Sequence, residues 1–122
     1  MNNNAAFENY FTIKRNDTLP TLIVKLKTKG SLGEILPLSL TGVTATTFSM
    51  VSECGDLTIS SQSAQVIDSE CGVIQYSWQN GDTSEAGKFN GEFELIFSGG
   101  TKLTVPIIGN IKIQILKDIN NN

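Results

Sequence analysis

Histidine does not occur in this 122-residue chain. Its absence removes the commonest general base and the commonest metal ligand together. Cysteine occurs only twice, as Cys54 and Cys71, with no C-x-x-C pair, so zinc would depend on two distant thiolates and scattered carboxylates. No G-x-S-x-G elbow is present, and a serine nucleophile would need lysine as its base. "SGGT" lacks the lysine and following helix of a phosphate-binding loop, and no D-x-D-x-D-G loop joins Asp56, Asp68, Glu70 and Asp82 into a calcium site. Catalytic residues, metal ligands and cofactors are therefore not expected. Long apolar runs are missing too, and "MNNNAAFENYF" has no basic region leading into an apolar segment, which argues against a membrane partner and against a Sec signal. Excess positive charge is also absent. A net charge of −3 and a pI near 4.8 offer a phosphate backbone no attracting field, so nucleic acid is not an expected partner.

What is present is globular in composition, 39% apolar and 17% charged, at a length that suits one domain with one core. The ends, "MNNN" and "INNN", are polar tracts with nothing to bury. They divide the chain into an N-terminal tail (1–6), a folded domain (7–116) and a C-terminal tail (117–122). Within the domain the dominant period is two, which places alternate side chains on opposite faces of a strand. Leu22, Val24 and Leu26 share one face of "TLIVKLK", and Lys25 and Lys27 share the other. Ile74, Tyr76 and Trp78 share a face of "VIQYSW". In "KFNGEFELIF" the inward set is Phe89, Gly91, Phe93, Leu95 and Phe97. Less regular strands are expected at "YFTIK", "TATTFSMV", "DLTIS", "SAQVID", "TKLTVP" and "IKIQIL", divided by glycine turns. The fold expected is all-β, an immunoglobulin-like β-sandwich of about seven to nine antiparallel strands.

"FELIFSGGTKLTV" reads as a hairpin, because a Gly-Gly pair accepts the positive φ of a tight turn. "NGDTSEAGKF" is too long for a two-residue hairpin and fits a crossover between sheets, with room for one helical turn capped by Asp82 or Thr83. In immunoglobulin-like corners an acidic residue precedes an aromatic that plugs the core. Asp82 and Phe89 would hold those places, with Gly87 helping to set the corner and Tyr76, Trp78, Phe93 and Phe97 completing the core.

Three charged or reactive patterns have structural readings. Glu92 and Glu94 stand two apart, as in a two-acid glycosidase, but the alternation that buries Phe93 and Leu95 turns them toward water. Lys25, Lys27 and Lys29 alternate as lysines do on strands that must not pair with strangers. The cysteines share a triplet, Glu53-Cys54-Gly55 and Glu70-Cys71-Gly72, expected to face each other across the base of the intervening excursion. Two readings stay open: small buried thiols, or a disulfide formed after release from a reducing cytosol and worth roughly 3 kcal/mol.

The run Gly72-x-Ile74-x-Tyr76-x-Trp78, then Gly81-Asp82-Thr83, Ala86-Gly87, Phe89 and Glu92-Phe93-Glu94, resembles the immunoglobulin-like N-terminal domain of phage baseplate upper proteins and related phage and prophage virion structural proteins. The likeness extends upstream to "RNDTLPTLIVKL", through "LTGVTATTFSM" and "AQVID", and on to "VPIIGNIKIQI", from about Phe11 to Leu116. The resemblance implies a non-enzymatic virion protein, made in the host cytoplasm and located in the virion. It would dock in multiple copies onto tail, baseplate or capsid proteins as adaptor or decoration. An alternative is a carbohydrate-binding module for host-surface adhesion. Such a module presents exposed aromatic rings, and here nearly all aromatics fall on inward parities, with Phe7 and Tyr10 as exceptions.

Overall fold

The computed structural model describes residues 10–106 and 109–119. Eleven strands lie within them: β1 (Phe11–Lys14), β2 (Leu22–Lys25), β3 (Lys27–Lys29), β4 (Ile35–Pro37), β5 (Val43–Ser52), β6 (Leu57–Ser63), β7 (Gln65–Asp68), β8 (Val73–Tyr76), β9 (Gly87–Phe97), β10 (Lys102–Val105) and β11 (Ile111–Leu116). A six-stranded sheet runs β1-β11-β9-β5-β6, with β10 also paired to β9. A three-stranded sheet, β2-β8-β7, lies across it, and β3 and β4 form a separate two-stranded arm. The expected all-β sandwich is the fold found. Its strands are more numerous than expected, and they are not all antiparallel, because β1 pairs with β11 in parallel register from Phe11↔Ile113 to Lys14↔Leu116.

The two sheets meet on aromatic rings. Phe48 of β5 stacks on Tyr76 of β8 with centroids 4.7 Å apart, touches Phe93 of β9 at 4.9 Å, and meets Trp78 edge-on at 6.0 Å. Such pairs add about 0.5–1.5 kcal/mol each beyond the area they bury. Gly91 makes the arrangement possible. It faces inward on β9, and a Cβ there would stand 2.8 Å from Phe48 Cε1 and 3.0 Å from Ile113 Cδ1. Ile74, Phe89, Leu95, Val105 and Ile115 extend the core to both sides, as period two requires.

"TLIVKLK" is one alternating run but two strands. At Leu26 the backbone changes partners: its N–H donates to Gly72 O at 2.8 Å and its carbonyl accepts from Leu38 N at 3.0 Å. The chain thereby leaves the β2-β8 ladder and enters the arm. Gly72 sits opposite with φ of +74°, and a Cβ on it would press to 2.6 Å from Leu38 O and 2.8 Å from Leu26 O, so the handover needs glycine there. The β9–β10 hairpin forms at Gly99-Gly100 as expected, with Lys102 opposite Ile96.

The corner after Trp78 carries no helical turn. Asp82 does not cap residues that follow it; its Oδ2 accepts from Gln79 N at 2.8 Å and from the Tyr76 hydroxyl at 2.6 Å. The corner hydroxyl missing from Phe89 is supplied by Tyr76. Thr83 is buried and donates through Oγ1 to Asp17 O at 2.8 Å, while Asn16 N donates to Thr83 O at 2.9 Å. These bonds tie the segment after β1 to the corner. The expected N-terminal tail, 1–6, lies outside the described residues, as do 120–122 of the C-terminal one. Asp118, in that expected tail, accepts from Arg15 Nη2 at 2.9 Å.

Candidate binding cleft

Strand β2 is the last strand of its sheet, and β10 pairs only with β9 among the described residues. Where these two edges approach each other the sandwich is open, leaving a cleft of about 550 Å³, within the roughly 300–1,000 Å³ range of ligand pockets. Leu26 and Val105, both buried, form its floor with Val24 and Ile111, and Leu38 and Ile35 close the side toward the arm. Ile35 is 63% exposed, and at the tip of the arm Leu32 is 90% exposed, so the apolar surface continues out of the cleft.

The rim carries charge of one sign. Lys25, Lys27 and Lys29 line the cleft and are exposed, and none of them has an ion-pair or side-chain hydrogen-bond partner among the described residues. Their exposure fits the expected guard of an edge strand, and Lys25 does stand on one. Sequence reasoning missed that the same lysines border an apolar hollow. The signal available was three lysines interleaved with Val24, Leu26 and Thr28; the opposite wall, Val105 and Ile111, comes from the far end of the chain.

The other expected site residues are placed as follows. Tyr76, Trp78, Phe89 and Phe93 are buried, Phe97 is half-buried, and Gly87 opens β9. Burial, and then the neighbouring Asp82 carboxylate, push the Tyr76 phenol well above its ordinary value. Trp78 Nε1, Thr46 Oγ1 and Arg15 Nε are buried with no hydrogen-bond partner among the described residues. Glu92 is exposed and Glu94 half-buried on the outer face of the large sheet, opposite Ser49 and Thr47, away from the cleft. Among the described residues no three of His, Cys, Asp and Glu lie together as a metal site.

Cys54 and Cys71 are free and exposed, so neither a buried pair nor a disulfide is found. The reason is topological. Cys54 sits in the β5–β6 turn, at the end where Ser52 faces Phe89. Strands β6 and β7 then run the length of the sandwich to the β7–β8 turn, where Leu40 N donates to Ser69 O. The triplets occupy opposite ends, on the order of 30 Å apart at about 3.3 Å per strand residue, whereas a disulfide needs Cα atoms within about 7 Å.

No known protein family matches the chain, and no curated protein does. Among solved structures it is similar to the crystal structure of CopC from Methylosinus trichosporium OB3b, at 12% identity over 90% of this chain and 86% of that one, with a TM-score of 0.48. That likeness lends this chain no ligand. The resemblance to phage baseplate upper proteins is not upheld, since no family model, of phage proteins or any others, matches the chain. The roles of phage virion structural protein, adaptor and decoration, and the virion location, are withdrawn. The physical reason is visible in the motif itself. Tyr76, Trp78, Phe89 and Phe93 are core, and Asp82 anchors the Tyr76 hydroxyl, so the pattern describes what this corner needs in order to fold.

Proposed function

We propose that this chain is a non-enzymatic protein-binding β-sandwich that takes an extended segment of another protein into the cleft beside β2 and β10. The observation that carries this reading is the cleft itself: an aliphatic floor bordered by two strand edges with, among the described residues, no further strand on them and no partner for the lysines along one rim. Edges of this kind accept an added strand through their backbone groups, while pockets beside them select alternate side chains. A sugar-binding role has less support, because no aromatic ring is fully exposed among the described residues and the largest ones are inside.

The test is selection from a random peptide display library, followed by mapping of amide shifts by nuclear magnetic resonance. Enriched peptides are expected to be extended and aliphatic with carboxylates alongside, and to perturb Val24, Thr28, Ile35, Val105 and Ile111. Ile35→Lys, at an exposed position that the fold does not need, is expected to weaken them about tenfold. Failure to enrich any peptide, or shifts confined to another face, would overturn the reading.

A further inference from the structure

We infer that the cleft also takes, through its aliphatic floor and lysine rim rather than by strand addition, the tip formed by the β5–β6 turn of a second copy of this chain, so that copies associate head to tail; the inference rests on the cleft's binding role proposed above. The cleft suits an exposed aliphatic side chain with carboxylates close by. The chain displays one. In the β5–β6 turn Glu53 and Asp56 are exposed and immediately precede Leu57, which opens β6 and is 59% exposed. Neither carboxylate has a side-chain partner among the described residues. The turn itself is held in shape by its own hydrogen bonds: Asp56 N donates to the Ser52 side-chain Oγ at 3.1 Å, Ser52 N to Asp56 O at 2.8 Å and Gly55 N to Ser52 O at 2.9 Å. It is a preformed projection, so little ordering entropy is lost on docking.

Three features of the fold decide between this contact and others. The tip cannot reach its own cleft. It lies where Ser52 meets Phe89, at one end of the sandwich and on the β6 side. The cleft is on the opposite side, running toward the end where Leu26 meets Gly72. A two-fold contact, cleft against cleft, would set Lys25, Lys27 and Lys29 of one copy against the same three of the other, a like-charge juxtaposition that interfaces avoid. The acidic β7–β8 turn is less suited. Asp68 Oδ1 is already committed to Glu70 N and Cys71 N at 3.1 and 3.0 Å, and that turn adjoins the cleft end of its own copy. What remains is a heterologous contact, which leaves one free tip and one free cleft at the ends of every assembly and so does not stop at two copies.

Sedimentation velocity over a concentration series, at low and high ionic strength, tests this. The wild-type mass is expected to rise past that of a dimer with concentration and to fall with salt, as exposed charge pairs require. A cleft variant, Lys27→Glu with Lys29→Glu, and a tip variant, Glu53→Gln with Asp56→Asn and Leu57→Ser, are each expected to weaken self-association about tenfold or more. Mixed in equal amounts, they should form a one-to-one pair and nothing larger, because each retains the element the other has lost. A second readout needs no variant: alkylation of Cys54, inside the tip, should slow as concentration rises. A chain that stays monomeric throughout, an assembly that stops at two, or association that both variants leave unchanged would overturn the inference. Peptides selected on the cleft would still stand in that event, which separates its failure from that of the proposed function.

Discussion

The Tyr76 phenol lies inside the aromatic cluster and gives its proton to Asp82 Oδ2, which also receives Gln79 N. Burial and the adjacent carboxylate both favour the neutral phenol, so the folded state holds this proton to higher pH than the unfolded chain, whose tyrosines titrate near pH 10. The stability linked to it is complete below that pH and is lost as pH rises above it, by up to about 1.4 kcal/mol per pH unit. Denaturant titrations between neutral and strongly alkaline pH should show this loss. Tyr76→Phe should lack that limb and should be less stable at neutral pH by about 1.5–3 kcal/mol, the usual worth of a hydrogen bond to a charged group. An alkaline limb of equal slope in the variant would assign the titration elsewhere. Asp82 and an aromatic partner were legible in the sequence as a corner. That the partner is Tyr76 was not, because the acidic residue reaches six positions backward while the familiar corner pattern looks forward.

At the scale of the element, the long central strand β9 owes its place to a missing side chain. Gly91→Ala would push a methyl group into the Phe48 ring and Ile113, an overpacking expected to cost about 1–3 kcal/mol, readable as a lowered midpoint in chemical denaturation. Phe48→Leu, which vacates part of that space, should recover some of the loss when combined with it; strict additivity of the two would sink the account, since residues in contact couple. The alternation that places Gly91 inward was plain in "KFNGEFELIF", and so were β2, β8 and the glycine hairpin into β10. Other elements were not visible because their cause is remote. Leu26 continues the alternation without a flaw, and only Gly72 and Leu38 divide the run there. Strand β4, "ILP", is three exposed residues with no alternation to read. The parallel sense of β1 and β11 and the cleft between β2 and β10 join residues some eighty to one hundred positions apart, a separation no local period reports.

For the whole molecule, the two cysteine turns mark opposite ends of the sandwich. In dilute native protein both thiols should titrate with a disulfide reagent at rates typical of exposed cysteine, and the mass of the unreduced protein should show no internal bond. Joint replacement, Cys54→Ser with Cys71→Ser, should change stability by less than about 0.5 kcal/mol, as for exposed positions free of special contacts. Resistance of either thiol to the reagent without denaturant would contradict the placement of that turn.

The parallel pairing of β1 with β11 has a mechanical consequence. Both strands point the same way, so tension entering at Phe11 and leaving at Leu116 drags one along the other instead of peeling them apart. The ladder from Phe11↔Ile113 to Lys14↔Leu116, continued by Arg15 N on Leu116 O at 2.7 Å and latched by the Arg15 ion pair to Asp118, is loaded in shear, with its bonds sharing the force. A sandwich strung in that way between two attachments yields at a single high threshold rather than unravelling link by link.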